Sequence, residues 1–294
     1  MRRRAALGVA CLWTGLAVDG AWALPTGDQV VACAAVVSTS GPGQLNIKQS
    51  SDKTIINWQS FGIGRGESVD FRQPNASSIA LNRVIGANPS EIFGRLTANG
   101  QVFLVNPNGI LFAPGASVDV GGLVASTLGI ANQDFLAGKH KFSNEGSAGS
   151  VVNQGSLSAA PGGYIALIAP VVSNSGSMQA TSGSVGLAAG DKVTLDFNGD
   201  NLLKIKVDAA AVSAQIDNSG TISADGGRVQ LTARAADKLL STVINNGGAI
   251  EARSMVRRGG EIVLEASDPV ANSVAEQPGQ GQQRRRQRGQ QRHA

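Results

Sequence analysis

A chain of 294 residues can bury one or two cores, but with aromatics at 4 % and 38 glycines it does not read as a helical or aromatic-rich domain. The formal charge of +4 belongs to the ends. Of 25 Lys+Arg, three lie in residues 1–23 and five in residues 277–294, and of 21 Asp+Glu only Asp19 lies there, so the body is near −3 and implies no specific nucleic-acid partner.

The chain opens with Arg2, Arg3 and Arg4, a mainly apolar stretch over residues 5–18, and an A-x-A pattern at Ala21-Trp22-Ala23. This pattern predicts a secretory signal peptide over residues 1–23, cut after Ala23. The apolar stretch is too short to span a bilayer, and Asp19 interrupts its end. Only Cys33 survives such processing, so the exported chain forms no intramolecular disulfide. No later run is long and apolar enough to cross a membrane, so the mature chain is expected to lack a transmembrane segment.

Up to about residue 143, strands broken by tight turns are predicted at residues 54–58, 68–71, 101–105 and 117–120. After the third comes Asn106-Pro107-Asn108-Gly109-Ile110. Pro107 presets φ for a turn, Asn106 can bond to its own backbone two residues on, and Asn108-Gly109 tolerates left-handed geometry.

From residue 151 one template recurs: apolar-x-Asn-x-Gly-x-apolar-x-Ala, a glycine turn, then apolar-x-apolar. It starts at Val151, Val172, Ile216 and Ile244, with Asn153, Asn174, Asn218 and Asn246 in equivalent places. No single unit can bury its apolar strip alone, whereas stacked units share one core. The expected fold is therefore an all-β parallel β-helix, with a β-sandwich as its rival. The Asn series reads as a structural ladder. The longer gaps between Asn174, Asn218 and Asn246 imply extra coils or loops, such as residues 191–200. The Gln- and Arg-rich end, residues 269–294, reads as a disordered tail.

Several segments resemble one family. Gly100-Gln101-Val102-Phe103-Leu104-Val105 followed by Asn106 to Ile110 is similar to the signature of the filamentous haemagglutinin N-terminal, or two-partner secretion, domain. Asn57-Trp58-Gln59-Ser60-Phe61 within residues 56–64 resembles its high-molecular-weight adhesin branch. So do residues 81–84, 88–94, 122–127 and 132–135, and the resemblance covers about residues 36–142. It implies a right-handed β-helix with an N-terminal cap. It also implies an outer-membrane β-barrel transporter with periplasmic binding modules, which recognises the unfolded or partly folded chain. Export then runs through the periplasm to a secreted or surface-associated state. The implied organisation is a secretion domain at residues 24–143 and further coils at residues 144–268. Asn106, Pro107, Asn108, Gly109 and Ile110 are candidates for partner recognition or for a structural turn. Asn57, Trp58, Gln59, Ser60 and Phe61 are the second candidate set, with Trp58 and Phe61 suited to packing in the cap.

Catalysis is not expected. Asp191, Asp196 and Asp200 do not have the spacing of a Ca²⁺ loop. His140, between Lys139 and Lys141, reads as a surface residue, and the other histidine, His293, lies in the tail. No nucleophile elbow, phosphate loop or zinc spacing occurs, so no cofactor or metal is expected. Three readings of the whole protein stay open: an adhesin-like exoprotein with a host-cell or glycan receptor, a β-helical enzyme acting on polysaccharides, and an exported remnant without a receptor.

Overall fold

Short strands of alternating burial coil into a three-faced parallel stack. The computed structural model describes residues 23–197, 202–236, 243–253 and 260–266. The predicted leader apart from Ala23, the predicted tail, and Asp200 lie outside the described residues. One coil runs through Ser90–Ile92, Arg95–Ala98 and Gln101–Val105, and the next through Ile110–Phe112 and the two halves of Ser117–Ser126. Later coils repeat this order, beginning at Ser150–Asn153, Val171–Asn174, Gln215–Asn218 and Ile244–Asn246.

Parallel register turns the alternation into vertical rows. Ile110, Val151, Val172, Ile216 and Ile244 stack on one face. Leu96, Val118, Leu157, Met178 and Ile222 stack on the second. Leu104, Ala125, Leu167, Leu187 and Leu231 stack on the third. These rows form one continuous core. Each buried Leu or Ile contributes roughly 1.5–3 kcal/mol, so every added coil is stabilised by the one before it.

Polar rows follow the same register. Asn153 Nδ2 donates to Asn174 Oδ1 at 2.8 Å, Asn174 to Asn218 at 2.7 Å, and Asn218 to Asn246 at 2.7 Å. The ladder begins at Asn153, because Phe112 occupies the equivalent place one coil earlier. Its glycines are needed for close approach: a Cβ on Gly220 would lie 2.1 Å from the Gly176 carbonyl oxygen.

At the N-terminal end the pairing becomes antiparallel. Gln29–Ala32 pairs with Lys53–Trp58, and Ala35–Gly41 with Gln44–Gln49. These strands form the cap and cover edges that would otherwise be open to other chains.

The gap between Asn174 and Asn218 contains an excursion that adds no coil. Lys192–Asp196 and Lys204–Ala209 form a hairpin. It pairs through His140–Ser143 with Gly129–Ile130, making a four-stranded antiparallel sheet outside the helix. This sheet covers one outer face and builds a second core, where Leu81, Phe103, Val124, Ala166 and Ala188 meet Ile130, Phe135, Phe142, Val193 and Ile205. His140 is therefore not the surface residue its neighbours suggest. Its ring packs between Phe103 and Phe197, with centroids at 5.4 and 5.3 Å.

Candidate functional site

Both motifs converge on the loop around Gly86. In the Asn106 turn, the side chain of Asn106 is wholly buried. Its Nδ2 donates to the Asn88 carbonyl and to Ser90 Oγ, both at 3.0 Å. Its Oδ1 accepts the Asn108 amide at 3.0 Å and Asn108 Nδ2 at 3.1 Å. Gly109 has φ +117° and donates its amide to the Asn106 carbonyl, which closes the turn. Ile110 enters the core row, whereas Pro107 and Asn108 stay exposed.

Asn108 Nδ2 reaches back one coil to the Gly86 carbonyl at 2.8 Å. From the other side, the Trp58 carbonyl accepts the Ile85 amide at 2.8 Å. Gly86 lies so close to Gln59 that a Cβ there would sit 2.0 Å from the Gln59 carbonyl oxygen. Trp58 and Phe61 are buried edge to face at 5.5 Å, and Trp58 Nε1 donates to Asn82 Oδ1 at 3.0 Å. Asn57 is half-buried, and Ser60 Oγ bonds to Thr26 Oγ1 at 2.7 Å. The two candidate sets thus divide into buried members packed beneath the loop and exposed members, Gln59, Pro107 and Asn108, that flank it, Asn108 also holding it through the Gly86 carbonyl. Ile85, half exposed, lies in the same loop.

Beside Pro107 a cavity of about 370 Å³ opens between the helix and the outer sheet, lined among others by Arg83, Val105, Thr127, Ile130 and Glu145. Arg83 clips the two parts together, donating to the Ile130 carbonyl at 2.7 Å and to Asn132 Oδ1 at 2.9 Å. Burial holds its pKa below the usual guanidinium value, partly offset by the Glu145 charge. His140 is pushed down to about 4 by burial and by the Lys53 charge, so it is neutral at pH 7. The described residues hold no group of three His, Cys, Asp or Glu placed to bind a metal.

Reading the two motifs alone misses Asn82, Ser90 and Gly86, which supply the contacts between coils. Asn82 and Ser90 nevertheless lie in segments that carried the resemblance.

A family model described as the TPS secretion domain matches residues 21–280. The chain belongs to the TPS secretion domain family. It carries the secretion domain of a two-partner secretion exoprotein. The match runs well past residue 142, through the coils with the Asn ladder. A heme/hemopexin-binding protein of Haemophilus influenzae (strain ATCC 51907 / DSM 11121 / KW20 / Rd) is 34 % identical over 277 residues, covering 92 % of this chain and 30 % of that protein. Another heme/hemopexin-binding protein of Haemophilus influenzae is 30 % identical over 251 residues, covering 78 % and 27 %. The chain thus spans under a third of the length of these relatives. The HMW1 secretion domain of Haemophilus influenzae superposes with TM-score 0.72 at 32 % identity, covering 82 % of this chain and 62 % of that one. The filamentous hemagglutinin secretion domain shares the fold, with TM-score 0.52 at 18 % identity, covering 83 % and 99 %. The TPS domain is thus an all-β parallel helix, of a family defined by secretion and not by catalysis.

Proposed function

We propose that the surface around Gly86 is read by the periplasmic binding modules of an outer-membrane β-barrel transporter, which exports the chain from the periplasm to the cell surface. One observation carries this reading: two motifs far apart in sequence meet at a single loop and leave Gln59, Ile85, Pro107 and Asn108 exposed around it. Their buried neighbours pack the loop from beneath, while Asn108 both holds it, through the Gly86 carbonyl, and faces solvent.

Asn108→Ala and Gln59→Ala separate recognition from folding. Reduced secretion and weaker binding to the purified periplasmic modules, with an unchanged melting temperature, support recognition. Unchanged secretion with lowered stability assigns both residues to folding.

Beyond export, we infer an adhesin-like binding role without catalysis. The relatives' names add heme and hemopexin to the ligands worth testing beside host cells and glycans. Binding of the secreted protein to cells, glycans, heme or hemopexin supports this role. Polysaccharide turnover abolished by one carboxylate substitution supports the enzyme reading instead.

A further inference from the structure

The loop between Lys53–Trp58 and Ser68–Arg72, beside the cap, holds a buried carboxylate that no cation pairs with among the described residues. Glu67 is 3 % exposed. Its Oε2 accepts the Gly64 amide at 2.6 Å, and its Oε1 accepts the Ala23 amide at 2.9 Å. Among the described residues no Lys, Arg or His forms an ion pair with it. The charged side chains nearest in the chain and in the adjoining coil are Arg65, Glu91 and Arg95, all exposed, and Arg65 lies over the Phe93 ring. A carboxylate withdrawn from water is costly unless it is paired, and two neutral amides offset only part of that cost.

One of those amides comes from the predicted cleavage point. Ala23 is the last residue of the leader that the sequence predicts, and Leu24 is the first of the mature chain. The segment after it is fixed in place. Leu24 packs against the core, Pro25 is buried, and the Thr26 carbonyl accepts the Gln59 amide at 2.9 Å. The loop beneath has room only because Gly62 and Gly64 carry no side chain. A Cβ on Gly62 would lie 2.7 Å from the Ala23 carbonyl oxygen, and one on Gly64 would lie 2.9 Å from Glu67 Oε2.

We propose that Glu67 is the receiving site for the N-terminal ammonium of the mature chain. Hydrolysis of the Ala23–Leu24 peptide bond adds one water. The new carboxylate leaves with the leader, and the freed Leu24 amine takes up a proton. That nitrogen is one residue step from the atom now bonded to Glu67, within about 3.8 Å by the spacing of successive Cα atoms. In the precursor the residue-24 nitrogen is a neutral amide and no such pair forms. The cap therefore reaches its full set of interactions only after the leader is removed.

The test uses the secreted protein. Intact mass establishes its first residue, and the α-amine is followed by NMR titration and by its rate of acylation. The expected result is a chain beginning at Leu24, an α-amine that titrates above its ordinary value, and acylation slowed at least about tenfold against an unfolded control. In Glu67→Gln both values return to those of a free amine. Should Glu67→Gln not fold, the mature chain acetylated at Leu24 replaces it, with a melting temperature expected about 3–6 °C below that of the free-amine form. A mature chain starting elsewhere, an α-amine that titrates and reacts as in the unfolded control, or an acetylated chain as stable as the free one overturns the proposal.

Discussion

Asn106 shows how one side chain can serve two coils. It makes bonds to the loop before it and to its own turn while itself wholly buried. Removing it takes a bond from the buried Ser90 Oγ and from the part-buried Asn88 carbonyl and Asn108 amide, and a buried polar group left unpaired costs roughly 1–3 kcal/mol. Asn106→Ala should therefore lose about 2–4 kcal/mol, read as a lowered midpoint in urea unfolding. Cys33 predicts the opposite sign. It holds φ +65° at an exposed turn, a conformation that costs side chains other than glycine. Cys33→Gly should gain roughly 0.5–1 kcal/mol in the same measurement. His140 gives the pH dependence. Its folded pKa, about 4, lies below the ordinary histidine value of 6.5. The unfolded chain therefore binds the extra proton first as pH falls. Stability is full above about 6.5, declines through the interval, and levels near 4, a loss of roughly 2–3 kcal/mol after allowing for partial solvent contact. Subtracting the urea-unfolding stability of His140→Gln from that of the wild type, pH by pH, should isolate this slope.

Strands on the third face explain what the sequence shows and what it hides. The Asn-x-Gly template predicts four coils, and all four stack in the expected register, because each rung must repeat the same residue type at the same place. The earlier coils share the geometry without the signal. Phe112 replaces the ladder Asn, and apolar residues do the same packing. Residues Tyr164 to Ala169 are buried on both faces, so the alternation that marks a half-exposed strand is absent there. The reason is the outer sheet, whose pairing of His140–Ser143 with Lys192–Asp196 joins segments about fifty residues apart. No local pattern encodes that pairing, and it is why the sequence shows His140 as a surface residue and residues 191–200 only as an extra coil or loop. The convergence at Gly86 was hidden for the same reason: both motifs are visible as turns, but their meeting is a property of the coil spacing. Glycine contacts carry the element-scale test. Gly220→Ala would place a methyl 2.1 Å from the Gly176 carbonyl oxygen, so the backbone of that coil must move. Amide exchange should lose protection over Thr221–Ser223 and Ala249–Glu251 while Leu104 and its neighbours stay protected, since a solenoid's coils depend mainly on their neighbours.

On the scale of the whole molecule, stacking ties stability to the direction of export. Each coil buries its strip only against the coil before it, so a chain emerging with its cap first gains a folded edge at every step. We propose that emerging coils, once folded, disfavour retreat and so draw the chain outward. This requires an uncrosslinked, linear polypeptide, and Cys33 is the only cysteine outside the predicted leader. Adding Ser175→Cys, at an exposed turn, allows a disulfide with Cys33 that closes a long loop while the chain is still in the periplasm. Secretion of this variant should fall at least tenfold in an oxidising periplasm. It should recover in a strain lacking the periplasmic thiol oxidase, where the chain stays linear. Recovery separates a blocked passage from a damaged fold, because the Ser175→Cys substitution is present in both strains. Equal secretion in the two strains, with the disulfide demonstrated in the oxidising one, would show that the chain crosses as a loop and that stepwise coiling does not drive its exit.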